Sequence, residues 1–183
     1  MIIWTSRLIK ARDFGRLAHD AVCQVRKYSG EPYWHHPEEV AETVSIYLQD
    51  EDAIIAAFLH DTIEDAKITF NDIKDKFGLR TALFVNELTD IFTSENYPKQ
   101  NRAWRKRHEA ERLAGISNES KTIKLSDLKS NTKSIVDNDP EFAITYLKEK
   151  HRVMQSLVGG NPVLYAEVQK QLQENIDKLN VIL

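Results

Sequence analysis

Apolar residues return every three or four positions along most of the chain, as in Leu17, Ala21 and Val25, and again in Val40, Val44, Tyr47 and Leu48. That is the period of a helix face, not the alternation of a strand. The breaks are legible as well. Gly30 with Pro32 and Pro37 predicts a rigid non-helical link, Gly78 and Gly115 read as helix C-caps, and Gly159, Gly160 and Pro162 separate the last two helices. Thr69 followed by Asp72 has the form of a capping box, and Asp139 and Asn161 each precede a proline at a first helical position. The pattern predicts an all-α bundle of roughly nine helices, near residues 7–28, 37–49, 51–65, 70–77, 79–92, 100–114, 119–136, 140–158 and 162–181.

A length of 183 residues predicts one domain over 1–183, with a chemical core at about 7–137 and packing helices at about 140–181. Val153, Leu157, Leu164, Val168, Leu172 and Ile176 form an apolar face on those last helices, which are read as structural. Lys and Arg number 25 against 28 Asp and Glu, a formal charge of −3, so no basic field draws the protein to nucleic acid. The longest uncharged apolar run, Ala53 to Leu59, is far short of the roughly 18 to 20 residues that cross a bilayer, and no membrane partner is expected. Cys23, the one cysteine, falls in a helical pattern and excludes an intrachain disulfide; that usage fits a reducing cytoplasm.

The chemistry concentrates where the run from Ala53 to Leu59 meets His60, Asp61, Glu64 and Asp65. Burying unpaired carboxylates is expensive, so these groups should be exposed, paired, or bound to a cation. His60 and Glu64 lie one helical turn apart, as do Asp61 and Asp65. His35-His36-Pro37 offers a further imidazole before a helix, and Asp127 and Asn131 stand one turn apart downstream. Two imidazoles and two carboxylates suit a divalent ion such as manganese, iron or zinc. Taken alone, the His-Asp pair is better explained by a solvated helix end.

The order His, His-Asp, distant Asp, set in Arg26-Lys-Tyr-Ser-Gly-Glu-Pro-Tyr33, His36-Pro37, Phe58-Leu-His-Asp-Thr-Ile-Glu-Asp65 and Lys124-Leu-Ser-Asp127 with Asn131, resembles the hydrolase domain of RelA/SpoT proteins, within the HD phosphohydrolase superfamily. The similarity runs from about residue 14 to about 137 and is strongest to the small stand-alone alarmone hydrolases. The resemblance implies an HD-domain helical bundle with a Mn2+ ion, or another divalent metal, held by His36, His60, Asp61 and Asp127. It implies that Glu64 and Asp65 activate and position water, although an orienting role beside the metal would also suit them. It places Arg26, Lys27 and Asn131 at the substrate. The link from Arg26 to His36 is one residue longer than in the long bifunctional members, because of Tyr28, so either Arg26 or Lys27 fills the family's arginine position. Leu128 and Ser130 stand where those members carry arginine and histidine, which bears on base recognition.

Arg102, Arg105 and Arg107 form the densest basic run, read either as a solvated face or as a substrate-binding helix for an anionic nucleotide. The expected activity is hydrolysis of (p)ppGpp to GDP or GTP and pyrophosphate. Alternatives are an HD phosphohydrolase acting on (p)ppApp or a nucleoside monophosphate, and a non-catalytic alarmone-binding module.

Overall fold

The computed structural model describes residues 2–179. The described residues contain eleven helical segments and no strand; two segments are single turns of four residues, so nine longer helices remain. The chain divides into two compact units, Met1–Thr89 and Asp90–Leu183.

The first unit holds α1 (Ser6–Ala21), α2 (His35–Tyr47), α3 (Glu51–Leu59), α4 (Thr62–Asp65), α5 (Phe70–Phe77) and α6 (Leu79–Leu88). Its centre is α3, buried at every position from Ala53 to Leu59 and packed against α1, α2 and α6. Asp50 starts α3 by accepting hydrogen bonds from the amides of Asp52 and Ala53 at 3.1 and 3.3 Å. Outside it, Arg80 pairs with Asp50 at 2.6 Å and Arg7 with Asp52 at 2.8 Å. Helix α1 crosses α3 so closely that a Cβ on Gly15 would stand 2.8 Å from the carbonyl oxygen of Phe58. The expected capping box at Thr69 and Asp72 is present, and Gly78 ends α5 with φ +96°.

Two of the helices that end earlier than the sequence predicts do so in ways that shape the site. The first ends at Ala21 rather than 28. Cys23 is not helical but exposed in a turn at φ +53°, and Val25 bridges antiparallel to Pro32, so two β-branched valines lead the chain out of the helix. The predicted helix 51–65 breaks at His60 and Asp61. There Thr62 Oγ1 donates to the carbonyl of Leu59 at 2.7 Å and His60 Nδ1 lies 2.8 Å from that of Ala57, so side chains take carbonyls the helix would otherwise use. The segment expected at 79–92 likewise stops at Leu88.

The second unit holds α7 (Arg102–Leu113), α8 (Asn118–Thr132), α9 (Ile135–Asn138), α10 (Pro140–Ser156) and α11 (Pro162–Lys178). The predicted helix 119–136 is thus split in two, and Ala114, not Gly115, is the C-cap of α7. Asp139 and Asn161 cap their proline-led helices as expected. Far from being an appendage, α10 and α11 complete this unit: α10 packs on α7 and α11 on α8. All six residues of their predicted apolar face are buried. Residues 180 and 181 of the predicted last helix lie outside the described ones. Among the described residues, no helix is long and apolar enough to cross a membrane.

Candidate metal centre

In the first unit the break after α3 turns two lone-pair donors toward one place. His60 is 1% exposed, and its Nδ1 lies 2.8 Å from the carbonyl oxygen of Ala57. A carbonyl only accepts, so Nδ1 carries the hydrogen, and in the neutral ring Nε2 then keeps the lone pair, the tautomer that suits a metal ligand. That Nε2 stands 3.0 Å from Asp61 Oδ2. Two acceptors at this distance repel unless a proton or a metal ion lies between them. His36 joins from the first turn of α2: its ring is 5.3 Å from that of His60, and its Nε2 is 3.8 Å from the same Asp61 oxygen. The neighbouring His35 is exposed, its ring tilted against that of Trp34 with centroids 3.8 Å apart. The donor set therefore fits a divalent cation.

Tyr33 donates its hydroxyl to Asp61 Oδ2 at 2.6 Å, setting the orientation of that carboxylate. The motif word containing Tyr33 was legible, but its role was not; it stands in the turn before α2, three residues before His36. Glu64 and Asp65 follow on α4, both on the exposed side of that turn. Protein atoms crowding the Asp65 carboxyl push its pKa up, opposed by a hydrogen bond from Gln24 and reinforced by the charge of Asp61. Gln24 itself lies 2.7 Å from the buried His19, whose pKa burial lowers. Neither residue stands out in the sequence, though His19 continues the buried stripe Leu8, Ala11, Gly15 as a polar member.

Arg26 and Lys27 sit on the bridged link between α1 and α2. The amide of Arg26 donates to the carbonyl of Glu31 at 2.8 Å, and Lys27 Nζ donates to the Tyr28 hydroxyl at 3.0 Å.

In the second unit Asp127 is 4% exposed on α8. Lys124, one turn before it, places Nζ 3.0 Å from Oδ2, and Asn131, one turn after it, donates to Oδ1 at 2.5 Å. Nearby, Asp90 pairs with Lys106 at 2.9 Å. Burial would raise the Asp90 pKa, but Lys124 and Lys106 outweigh it and hold the carboxyl low. The arginines of α7 have local partners. Arg102 forms a two-pronged pair with Glu149 at 2.8 Å, Arg105 donates to the carbonyl of Gln100, and Arg107 lies 3.9 Å from Glu111.

The chain resembles known proteins over most of its length. The chain is 32% identical over 182 residues to the guanosine-3′,5′-bis(diphosphate) 3′-pyrophosphohydrolase MESH1 of Homo sapiens, covering 95% of this chain and 93% of that one. To the protein of the same name from Danio rerio it is 31% identical over 157 residues, covering 82% and 84%. A solved structure described as a metazoan ortholog of SpoT that hydrolyzes ppGpp superposes with a TM-score of 0.82 at 25% identity, covering 100% of both chains. A structure from Listeria monocytogenes shares the fold, with a TM-score of 0.66 at 23% identity, covering 82% of this chain and 99% of that one. Residues 11–133 match the HD domain family, and the chain belongs to it.

Proposed function

We propose that the chain is a divalent-metal-dependent hydrolase that removes the 3′-diphosphate of guanosine tetra- or pentaphosphate as pyrophosphate. The observation that carries this is the pair of acceptors, His60 Nε2 and Asp61 Oδ2, 3.0 Å apart beside the buried His36. The names of the MESH1 relatives and the ppGpp-hydrolysing structural neighbour support the substrate. The whole chain acts as one HD-type hydrolase domain, with His36, His60, Asp61 and Asp127 as ligands; their mixed nitrogen and oxygen donors suit Mn2+. When bound, the ion supplies Lewis acidity, drawing charge from a phosphoryl oxygen and making water acidic enough to attack.

The chain's own residues do the rest. Ala57 and Tyr33 hold His60 and Asp61 in their orientations. Asp65, aided by Glu64, takes a proton from water as its oxygen bonds to the phosphorus next to the ribose 3′ oxygen. The bond from that phosphorus to the 3′ oxygen breaks; the oxygen leaves with the nucleotide, takes a proton, and pyrophosphate departs. Arg26, Lys27 and Asn131 bind the nucleotide, and Arg102, Arg105 and Arg107 act on it through their field. The enzyme works in the cytoplasm, where an exposed thiol such as Cys23 stays reduced. Because Leu128 and Ser130 depart from the arginine and histidine of the long family members, the adenosine counterpart is the second candidate substrate.

The test is to incubate the manganese-loaded protein with guanosine and adenosine 3′-diphosphate nucleotides and separate the products. Pyrophosphate released faster from the guanosine compound is expected. Tight binding without release would make the chain a sensor, and faster release from the adenosine compound would reassign the base.

A further inference from the structure

Behind Asp65 runs a hydrogen-bonded chain that the chemistry above does not use. Gln24 Nε2 donates to Asp65 Oδ2 at 2.9 Å, and Gln24 Oε1 lies 2.7 Å from Nδ1 of His19. An ionised carboxylate only accepts, so the amide must turn its NH2 to Asp65 and its carbonyl to His19. Nδ1 of His19 therefore carries the hydrogen, and Nε2 the lone pair. The ring is 1% exposed, and Nε2 has no hydrogen-bond partner. A buried unsatisfied nitrogen is a burden on stability, which an apolar side chain of similar size would not impose.

The backbone around the chain is pinned as well. Because α1 stops at Ala21 and Cys23 takes φ +53°, the segment folds back so that the amide of Gln24 donates to the carbonyl of His19 at 3.2 Å. The carbonyl of Gln24 in turn accepts from the amide of Tyr33 at 3.0 Å. Tyr33 packs its ring 4.9 Å from that of His19 while its hydroxyl orients Asp61. One imidazole thus backs both Asp61, through Tyr33, and Asp65, through Gln24.

We propose that His19 and Gln24 are positioning residues for the hydrolysis: His19 locks the amide of Gln24 in one orientation, and Gln24 occupies Oδ2 of Asp65 so that Oδ1 is the oxygen presented to the attacking water. This rests on the role given to Asp65 above. A purely structural His19–Gln24 contact would affect melting temperature and leave turnover alone, whereas positioning acts on kcat at constant substrate binding.

The test uses Gln24→Leu and Gln24→Glu in the full chain, with Gln24→Leu also combined with Asp65→Asn. Gln24→Leu lowers kcat by about tenfold or more with KM and bound metal unchanged. Gln24→Glu can still accept from His19 but cannot donate to Asp65, and it fails to restore kcat. On the Asp65→Asn background Gln24→Leu changes kcat by less than about twofold, as expected for residues acting through one group. Independently of activity, ring nitrogen-15 shifts of His19 in the metal-free protein show a protonated Nδ1 and a bare Nε2. Normal kcat in Gln24→Leu, a loss confined to KM, a full further loss on the Asp65→Asn background, or a His19 protonated at Nε2 overturns the relay alone. Wild-type turnover in Asp65→Asn overturns the role of Asp65, and the relay with it.

Discussion

At the His60–Asp61 corner of the first unit, imidazole and carboxylate lone pairs face each other at 3.0 Å, whereas in the second unit Asp90 and Asp127 each have a lysine ammonium within 3.0 Å. Both regions bring ionisable groups out of water. In the second, the chain supplies its own cations: Lys106 and Lys124 hold the Asp90 carboxyl low despite its burial. In the first, acceptors converge, and the arrangement calls for a cation from outside. Asp90, which takes no part in the proposed chemistry, therefore contributes to the stability of its unit, while His60 and Asp61 contribute to what theirs can bind.

The largest expected effect breaks the first cluster. Asp61→Ala and His60→Ala should lose bound metal and pyrophosphate release together, by roughly 10³-fold or more in rate. Metal analysis beside product assays checks this; a variant with full metal and near-normal turnover would remove the distinction between the clusters. Next, Glu64→Gln and Asp65→Asn should keep the metal and lose about 10² in kcat, with KM nearly constant. An effect mainly on KM would assign them to substrate binding.

Smaller effects come from the second unit. Neutralising Arg102, Arg105 and Arg107 together should lower kcat/KM several-fold at low ionic strength and flatten its dependence on salt. Equal salt slopes for the triple variant and the parent would leave Glu149, Gln100 and Glu111 as the full account of those arginines. Stability should hardly move, because exposed pairs contribute about 1 kcal/mol at most. The smallest effect sharpens the lysine side of the comparison. The Asp90 pKa lies below its unfolded value, so its contribution is present above the unfolded value and is lost as pH falls through the folded one. Asp90→Asn should accordingly destabilise the protein at pH 7 and progressively less as pH falls below the ordinary aspartate value, as read by urea unfolding. A pH-independent loss would mean the lysines do not act through charge.

The helices and caps were legible because their signals are local: Thr69 with Asp72, Asp139 before Pro140, and the seven apolar residues of α3 need no knowledge of neighbours. The ligand candidates in the first unit were legible through His-Asp spacing and family resemblance. What escaped depends on chain reversal. Nothing in the periodicity announces that helix formation stops at Ala21, so Gln24 stayed hidden in a presumed helix and its approach to Asp65, 41 residues on, was invisible. The break at His60 was missed similarly, because an oxygen of Thr62 and a nitrogen of His60 compete for carbonyls that a propensity argument grants to the helix. The lysine partner of Asp127 lies one turn away in the same motif, but spacing alone does not show that the two side chains meet.

The bare Cα of Gly15 makes α1 a gauge block laid against α3. With no side chain between them, the distance from the Phe58 carbonyl to that glycine fixes how far the whole rod stands off, and His19 rides one turn further along the same rod. A methyl group there would have to lift the rod by some tenths of an ångström, and His19, only one turn away, would move with it. The tolerance of the proposed site is in this sense machined at a position outside it, and the most conservative change imaginable, a single added carbon, would be felt as misalignment rather than as lost chemistry.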